Sequence, residues 1–277
     1  MPRAGLLQLN SGDDPSANLP VTQALIAEAA GQGATFILTP EVTNCVSASR
    51  DHQREVLRRE GEDVTLAALQ AQAGALGVWL LIGSLALRTG DPDGRLANRS
   101  FLISPEGEIV ARYDKMHMFD VEISRTESYR ESAGYRPGSE AVLVQAGFGA
   151  VGMTICYDLR FPRLYRHLAQ SGAEILTVPS AFSPVSGAAH WETLLRARAI
   201  ETGCFVLAPA QCGTHAARSG KARQTHGHTL AVGPWGDILA DGGEGEGAII
   251  VDLDMGAVAQ ARQRIPSLSN GKTFESP

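Results

Sequence analysis

Short apolar runs alternate with longer segments of helical periodicity through the first third of the chain. Compact apolar runs lie at 5–10, 35–40 and 78–88, and the segments at 18–34 and 63–77 between them carry apolar residues at helical spacing. The first of these two segments ends in glycines, which commonly terminate helices. The pattern therefore predicts the order strand, helix, strand, helix, strand.

The middle of the chain follows a different pattern, because turn residues join strands directly. Pro/Gly/Asp turns at 89–94 and 104–108 enclose a predicted strand at 98–103, and another strand is predicted at 109–116. After an irregular stretch, residues 141–156 predict a hairpin. Strands in this region are thus expected to pair antiparallel with their neighbours.

The remainder of the chain returns to alternation. Helices are predicted at 159–172 and 190–203, strands at 173–182 and 204–212, and two or three further strands within 228–254. Strand-helix units combined with direct hairpins predict a layered α/β domain. It contains either one mixed sheet or two packed sheets with helices outside.

Composition narrows the class of protein. The chain has 277 residues, of which 44% are hydrophobic and 19% charged, as in ordinary globular proteins. No linker or fixed-period repeat interrupts it, so residues 1–277 are predicted to form one domain. The net charge of -6, without any basic run, argues against a nucleic-acid surface.

The N-terminus, the length of the apolar runs and the cysteines bear on the cellular compartment of the protein. The N-terminus reaches charged residues within a few positions, and no apolar run has the length of a membrane span, so neither a secretory signal nor a membrane segment is expected. The four cysteines lack both CxxC spacing and the density of a disulfide scaffold. A reducing, cytoplasmic setting is predicted.

Three reactive side chains follow predicted strands. Glu41 comes after the run at 35–40, Lys115 lies at the end of 109–116, and Cys156 closes the predicted hairpin. Function collects at strand ends in α/β folds, so these side chains are candidates for one pocket. A thiol needs a base to become a nucleophile, a partly dry carboxylate can be that base, and an ammonium can stabilise developing negative charge.

The segments around these residues, LTPEVTN, RYDKMHMFDVE and TICYDLRFP, resemble the three signature regions of the nitrilase superfamily of carbon-nitrogen hydrolases. Their order and approximate spacing fit. The likeness continues through 179–213 and 225–240 and covers nearly the whole chain. The sequence is therefore identified as a member of this superfamily.

The resemblance implies a four-layer α-β-β-α sandwich with mixed sheets, paired as a homodimer through outer helices. It implies that Cys156 attacks the substrate carbon to form a thioester and that Glu41 is the general base. Lys115 and the backbone N–H of Tyr157 would hold the oxyanion. Glu131, sixteen residues after Lys115, would position that lysine and the substrate. Neither a cofactor nor a metal is implied.

Within the superfamily, the CYDLRFP region and residues 179–213 are most similar to amidases that hydrolyse deaminated glutathione, and next to omega-amidases acting on α-keto acid amides. Such substrates carry a carboxylate, so a cation is expected in the pocket. Arg160 and Arg163 follow the nucleophile closely, but the sequence does not fix where they point. N-carbamoyl amino acid hydrolysis would use the same triad. Nitrile hydrolysis is disfavoured, because CYD stands where true nitrilases tend to have CWE.

Two further hypotheses assign other roles. His226 and His228 lie at i and i+2 of a predicted strand and could bind zinc together with His190 and His215. A pseudoenzyme or binding subunit would be expected to lack a triad member, and none is missing. Separately, the charge-rich segment 50–63 is predicted to be a solvated helix and loop. An additional hypothesis is that it borders the pocket as a lid.

Overall fold

The computed structural model describes residues 1–122, 128–218 and 221–275. In chain order its strands are β1 Arg3–Gln8, β2 Phe36–Leu38, β3 Trp79–Arg88, β4 Leu96–Ile103, β5 Ile109–Asp114, β6 Asp120–Glu122, β7 Ser128–Arg130, β8 Val142–Ala146, β9 Gly149–Met153, β10 Ile175–Thr177, β11 Phe205–Ala208, β12 Cys212–Thr214, β13 Gln224–His226, β14 Leu230–Val232, β15 Ile238–Asp241 and β16 Gly247–Asp252. The α-helices are α1 Pro15–Gly31, α2 Arg50–Val56, α3 Val64–Leu76, α4 Pro162–Gln170, α5 Pro184–Thr202 and α6 Gly256–Arg264. Short 3-10 turns span Glu60–Glu62, Glu131–Ala133 and Cys156–Arg160.

Two six-stranded mixed sheets contain most of these strands. Their orders are β16-β1-β2-β3-β4-β5 and β15-β14-β11-β10-β9-β8. The strands β1, β2 and β3 are parallel in the first sheet, as are β9, β10 and β11 in the second, and all the other pairings are antiparallel. The helical crossovers produce the parallel centres, and the direct turns produce the antiparallel flanks.

The alternation of side chains along the strands builds the layers. In the first sheet, Leu6 and Leu81 face the second sheet and join its core, whereas their neighbours Leu7 and Leu80 face α1 and α3. Successive strand residues point to opposite faces, so strands that are apolar on both faces must be covered on both. Helices α4 and α5 cover the outer face of the second sheet with Tyr165, Trp191 and other side chains. The predicted α-β-β-α sandwich is confirmed.

Several predicted boundaries differ from the structure. Helix α5 begins at Pro184, six residues before the predicted start, because proline fits the first helical position and extends the helix into a segment with little apolar periodicity. The strand predicted at 173–182 is only the three-residue β10. Strand β9 ends at Met153, so Cys156 lies in the 3-10 turn beyond the strand. No helix within the described residues is long and apolar enough to cross a membrane.

Candidate active site

The structure brings Glu41, Lys115 and Cys156 together between the two sheets. Glu41 follows β2 and Lys115 follows β5 in the first sheet, while Cys156 follows β9 in the second. Lys115 Nζ lies 2.9 Å from Glu41 Oε1 and 2.9 Å from each carboxylate oxygen of Glu131. The strands of the two packed sheets therefore end at one shared polar cluster.

Glu41 is held as a buried carboxylate. Its Oε1 accepts hydrogen bonds from Lys115 Nζ and Asn98 Nδ2 at 2.9 and 2.8 Å, and its Oε2 accepts one from the Ala181 N–H at 2.8 Å. Burial would raise the pKa of Glu41, but the charge and hydrogen bond of Lys115, with help from Cys156 and Asn98, hold it below its ordinary value. Glu41 is thus ionised and able to accept a proton.

The pKa of the Cys156 thiol is shifted in the opposite direction to that of Glu41. Burial and the adjacent charge of Glu41 raise its pKa, and Lys115 offsets only part of that rise. Cys156 is consequently a neutral thiol at rest, hydrogen-bonded to Glu41, and it becomes a nucleophile only by giving up its proton.

The backbone around the thiol has an unusual geometry. Cys156 has φ of 48°, a left-handed conformation that is uncommon for residues other than glycine. Its N–H donates to the Pro179 carbonyl oxygen at 3.0 Å. The next N–H, that of Tyr157, has no acceptor within the described ranges. A free donor directly after the thiol is available to a ligand.

Lys115 remains charged despite complete burial. Burial lowers its pKa, but the charges of Glu131 and Glu41 more than compensate and raise that pKa well above its ordinary value. Glu131 is itself fixed, because its Oε2 accepts the Phe119 N–H at 2.6 Å. Glu131 therefore contacts Lys115 directly, at the position where the resemblance implies a second glutamate.

Three residues that shape the site were not identified from the sequence. Asn98 on β4 donates to both Glu41 and Glu131, at 2.8 and 3.4 Å, and nothing in the sequence distinguishes it from the adjoining polar residues Arg99 and Ser100. A side chain at Gly83 would put Cβ 1.9 Å from the Thr39 carbonyl oxygen, so glycine permits the close approach of β3 to the Glu41 loop. Asp158 lies in the same 3-10 turn as Cys156. Its carboxylate accepts the N–H of Ile155, just before the nucleophile, and the N–H of His117, in the loop after Lys115.

A cavity of about 790 Å³ opens onto these groups. Its lining includes Glu41, Lys115, Cys156, Glu131 and Tyr157, with aromatic side chains Phe119, Tyr129 and Phe182 and cations Arg50, Arg130, Lys221 and Arg223. The volume suits a small organic molecule. Arg50 and Gln53 on α2 bring the charge-rich segment 50–63 to its border.

The two arginines considered from the sequence do not line this cavity. The Arg160 guanidinium lies over the Tyr157 and Phe182 rings at 5.9 and 5.4 Å and 3.3 Å from His190 Nδ1. Arg163 is exposed. Apart from Lys115, the cations that line the cavity come from α2, β7 and the segment between β12 and β13, which are distant in sequence from the nucleophile.

The histidines proposed as zinc ligands have other partners. Both ring nitrogens of His215 have partners, Ser11 O at 2.8 Å and Thr225 Oγ1 at 2.7 Å, and His228 Nδ1 lies 3.1 Å from Asp241. Within 1–122, 128–218 and 221–275 no three His, Cys, Asp or Glu side chains are grouped so that they could hold a metal ion. The geometry gives the zinc hypothesis no support.

Comparison with known proteins decides the family. Residues 3–263 match the sequence model of the carbon-nitrogen hydrolases. The chain belongs to this family. The resemblance inferred from the three signature segments is thereby confirmed, and the protein is a hydrolase of carbon-nitrogen bonds other than peptide bonds.

Three similar proteins illustrate the range of this carbon-nitrogen hydrolase family. Deaminated glutathione amidase of Yersinia enterocolitica is 38% identical over 272 residues, which cover 98% of this chain and 93% of that protein. The C. elegans NitFhit protein superposes with a TM-score of 0.88 at 32% identity over 98% of this chain, which spans only 65% of NitFhit. An amidase from Nesterenkonia sp. AN1, with acrylamide added to its active-site cysteine, superposes with a TM-score of 0.77 at 25% identity, covering 96% of this chain and 98% of that one.

Proposed function

We propose that this hydrolase cleaves the amide bond of a small carboxylated substrate through a thioester on Cys156, with deaminated glutathione as the first candidate. The observation that carries the proposal is the buried Lys115 ammonium, held 2.9 Å from both Glu41 and Glu131 in the cavity that contains the thiol. Acyl transfer needs a nucleophile, a base and a cation for the oxyanion, and these groups supply all three.

The first step joins proton transfer to attack. Glu41 takes the proton from the Cys156 thiol, and the sulfur bonds to the amide carbon. The C=O electron pair moves onto oxygen, where Lys115 Nζ and the free Tyr157 N–H stabilise the negative charge. Because the resting thiol is neutral, the base and the nucleophile must act together.

Collapse of the tetrahedral adduct releases the nitrogen. Glu41, now protonated, donates its proton to the departing amine as the C–N bond breaks, and the acyl group remains on sulfur. Glu41 is again a carboxylate and takes a proton from water, whose oxygen attacks the thioester. Release of the acid returns the thiol, with the last proton passing through Glu41.

Glu131 acts through Lys115. Its bidentate contact holds the ammonium toward Glu41, and its negative charge keeps the lysine protonated. Removal of Glu131 would leave a buried ammonium with half of its counter-charge, which is costly. We therefore assign Glu131 to positioning Lys115 and, through it, the substrate carbonyl.

The substrate class is supported by the relatives and by the cavity. The Yersinia enterocolitica relative carries the name deaminated glutathione amidase. Deaminated glutathione carries carboxylates, and five cations against two carboxylates line the described part of the cavity. The omega-amides of α-keto acids and N-carbamoyl amino acids are anionic amides that the same chemistry would accept.

The deciding experiment measures product release from deaminated glutathione, α-ketoglutaramate, an N-carbamoyl amino acid and a simple nitrile. Wild type, Cys156→Ala and Cys212→Ala are run together, the last as a matched control at a buried cysteine outside the cavity. We expect deaminated glutathione to have the highest kcat/KM and Cys156→Ala alone to be inactive. Equal turnover by Cys156→Ala would overturn the nucleophile, and a preference for another amide would replace the substrate.

We further infer that residues 1–277 form one catalytic domain that pairs as a homodimer in the cytoplasm. Exposed apolar side chains on one face support pairing: Ile200, Trp235 and Ile265 are 55, 47 and 56% exposed beside a second groove of about 420 Å³. All four cysteines are free thiols, which supports a reducing compartment. Light scattering and cell fractionation test the two inferences.

A further inference from the structure

Three cations that form no ion pair with a carboxylate of the described ranges line the catalytic cavity. They are Arg50 on α2, and Lys221 and Arg223 in the segment that leads into β13. The other two cations of the cavity form ion pairs, Lys115 with Glu41 and Glu131 and Arg130 with Glu122. In a chain of net charge -6, this excess of positive charge inside one cleft favours an anionic ligand there.

The first turn of α5 forms another part of the same wall. Pro184, Val185 and Ser186 line the cavity at the start of this 19-residue helix. Backbone N–H groups of a first helical turn have no intrahelical acceptors, and the helix dipole favours an anion beside them. A helix start of this kind offers hydrogen bonds as well as a favourable field.

Ser186 supplies a separate indication that a ligand binds here. The residue is only 8% exposed, and its Oγ has no hydrogen-bond partner in the described structure. A buried hydroxyl without a partner costs free energy, and native proteins rarely leave one unused. Since Ser186 lines the cavity, a bound substrate is the natural source of its missing partner.

The β12–β13 hairpin carries Arg223 to this helix start. The His226 N–H donates to the Phe182 carbonyl oxygen at 2.9 Å, and a Cβ at Gly187 would lie 2.3 Å from His226 Cγ, so the hairpin packs directly on the first turns of α5. Arg223 precedes His226 by three residues on the same hairpin.

Arg50 reaches the cavity from α2, beside Tyr135, which also lines it. Its guanidinium lies 5.5 Å from the centre of the Tyr135 ring. Burial raises the pKa of the Tyr135 hydroxyl, and the charges of both Arg50 and Arg223 oppose that rise. Arg50 thus lies against Tyr135, and Arg223 lines the same cavity close enough for its charge to act on the Tyr135 hydroxyl.

We propose that Arg223, Arg50 and the first turn of α5 with Ser186 form a carboxylate subsite. It binds the charged end of an amide substrate while the reacting carbon lies at Cys156. This assignment rests on the proposed amidase function and adds the residues that select for charge. Arg160 and Arg163, which adjoin the nucleophile in sequence, are not part of it.

The test compares two amides that differ only in charge, glutaramate and its methyl ester, on wild type, Arg223→Gln, Arg50→Gln and Ser186→Ala. Arg163→Gln is the matched control, because Arg163 is exposed and outside the cavity. Loss of a charge-assisted hydrogen bond should raise KM for glutaramate about 10-fold or more in each arginine variant, and Ser186→Ala should raise it about 3-fold. KM for the ester, and kcat for both amides, should change little. Arg223→Lys should restore part of the preference.

Binding of glutarate, measured by calorimetry on the same proteins, provides a readout that does not need turnover. Weaker glutarate binding in Arg223→Gln and Arg50→Gln, with Arg163→Gln unchanged, supports the subsite. Equal effects on glutaramate and its ester, or unchanged glutarate binding, would overturn it. If wild type hydrolyses neither amide, the proposed function is in question, while glutarate binding still decides the subsite.

Discussion

The Tyr113 hydroxyl donates a 2.7 Å hydrogen bond to Asp158 Oδ2 and thereby joins the two sheets beside the active site. Tyr113 lies on β5, two residues before Lys115, and Asp158 lies in the 3-10 turn two residues after Cys156. The same carboxylate accepts the Ile155 N–H at 2.8 Å and the His117 N–H at 3.0 Å. Asp158 is fully buried, so it fixes the lysine loop relative to the nucleophile turn.

Substitutions at Tyr113 and Asp158 should distinguish the effect of losing one hydrogen bond from the effect of losing the whole Asp158 network. Tyr113→Phe removes one hydrogen bond and should lower the free energy of unfolding by about 1 kcal/mol, with a small loss of kcat. Asp158→Asn turns an N–H donor toward groups that need an acceptor, and should lower kcat by about 10-fold or more even where the protein stays folded. Urea unfolding and kcat are measured for both. Unchanged kcat in folded Asp158→Asn would refute the positioning role.

This connection shows where sequence reasoning was sufficient and where it was not. The apolar runs and turn signals predicted the order of the main strands and helices, but not α6 or the β6–β7 pair. The signature segments pointed to Glu41, Lys115 and Cys156. Asp158 was visible beside the nucleophile, yet its partners Tyr113 and His117 are distant in sequence. Which polar groups meet depends on how the two sheets pack, and single-sequence periodicity carries no information about that packing.

The cavity walls illustrate the same difference. Arg160 was a natural candidate for binding a carboxylate because it adjoins the nucleophile, but its guanidinium lies over the Tyr157 ring and does not line the cavity. Arg50 comes from the segment predicted to be a solvated helix and loop, and Arg223 comes from a stretch after residue 212 for which no element was predicted. Local sequence indicates which chemistry is present, whereas the direction of a long flexible side chain is decided by tertiary contacts.

Glu131→Gln tests the electrostatic support of Lys115. The variant keeps the size of the side chain but removes a charge that raises the pKa of Lys115. We expect that pKa to fall, so the alkaline limb of the kcat/KM profile should move to lower pH, and kcat should drop about 100-fold. Glu55→Gln, at an exposed position, is the control. An alkaline limb at the wild-type pH would contradict the role of Glu131.

Asn98→Ala should change the acid side of the profile. In wild type the pKa of Glu41 lies below its ordinary value of 4.5, so protonation of this base should reduce activity only below that pH. The hydrogen bond from Asn98 is one of the contacts that lower this pKa, so its removal should raise the pKa and move the acid limb of kcat/KM upward. Gln145→Ala at an exposed site of β8 serves for comparison. A shift to lower pH would have the wrong sign.

Gly83→Ala tests the close approach between β3 and the Glu41 loop. The added Cβ would lie 1.9 Å from the Thr39 carbonyl oxygen and 2.4 Å from Pro179 Cβ, so backbone must move on both sides. We expect a loss of about 1–3 kcal/mol in unfolding free energy, together with reduced kcat, because Glu41 follows Thr39 and Pro179 accepts the Cys156 N–H. Gly61→Ala, where a Cβ meets no atom within 4 Å, should retain both stability and kcat.

Alkylation by iodoacetamide tests how the thiol is activated. Cys156 opens onto the cavity beside Glu41, whereas Cys204 is fully buried, and burial raises the pKa of Cys204. We expect Cys156 to react first, because Glu41 can take its proton as the sulfur attacks. Its rate should fall about 10-fold in Glu41→Gln, since that variant removes the base. Peptide mass spectrometry over time measures both rates. A Cys156 rate that is independent of Glu41 and constant from pH 6 to 8 would indicate a resident thiolate, contrary to the raised pKa of this thiol.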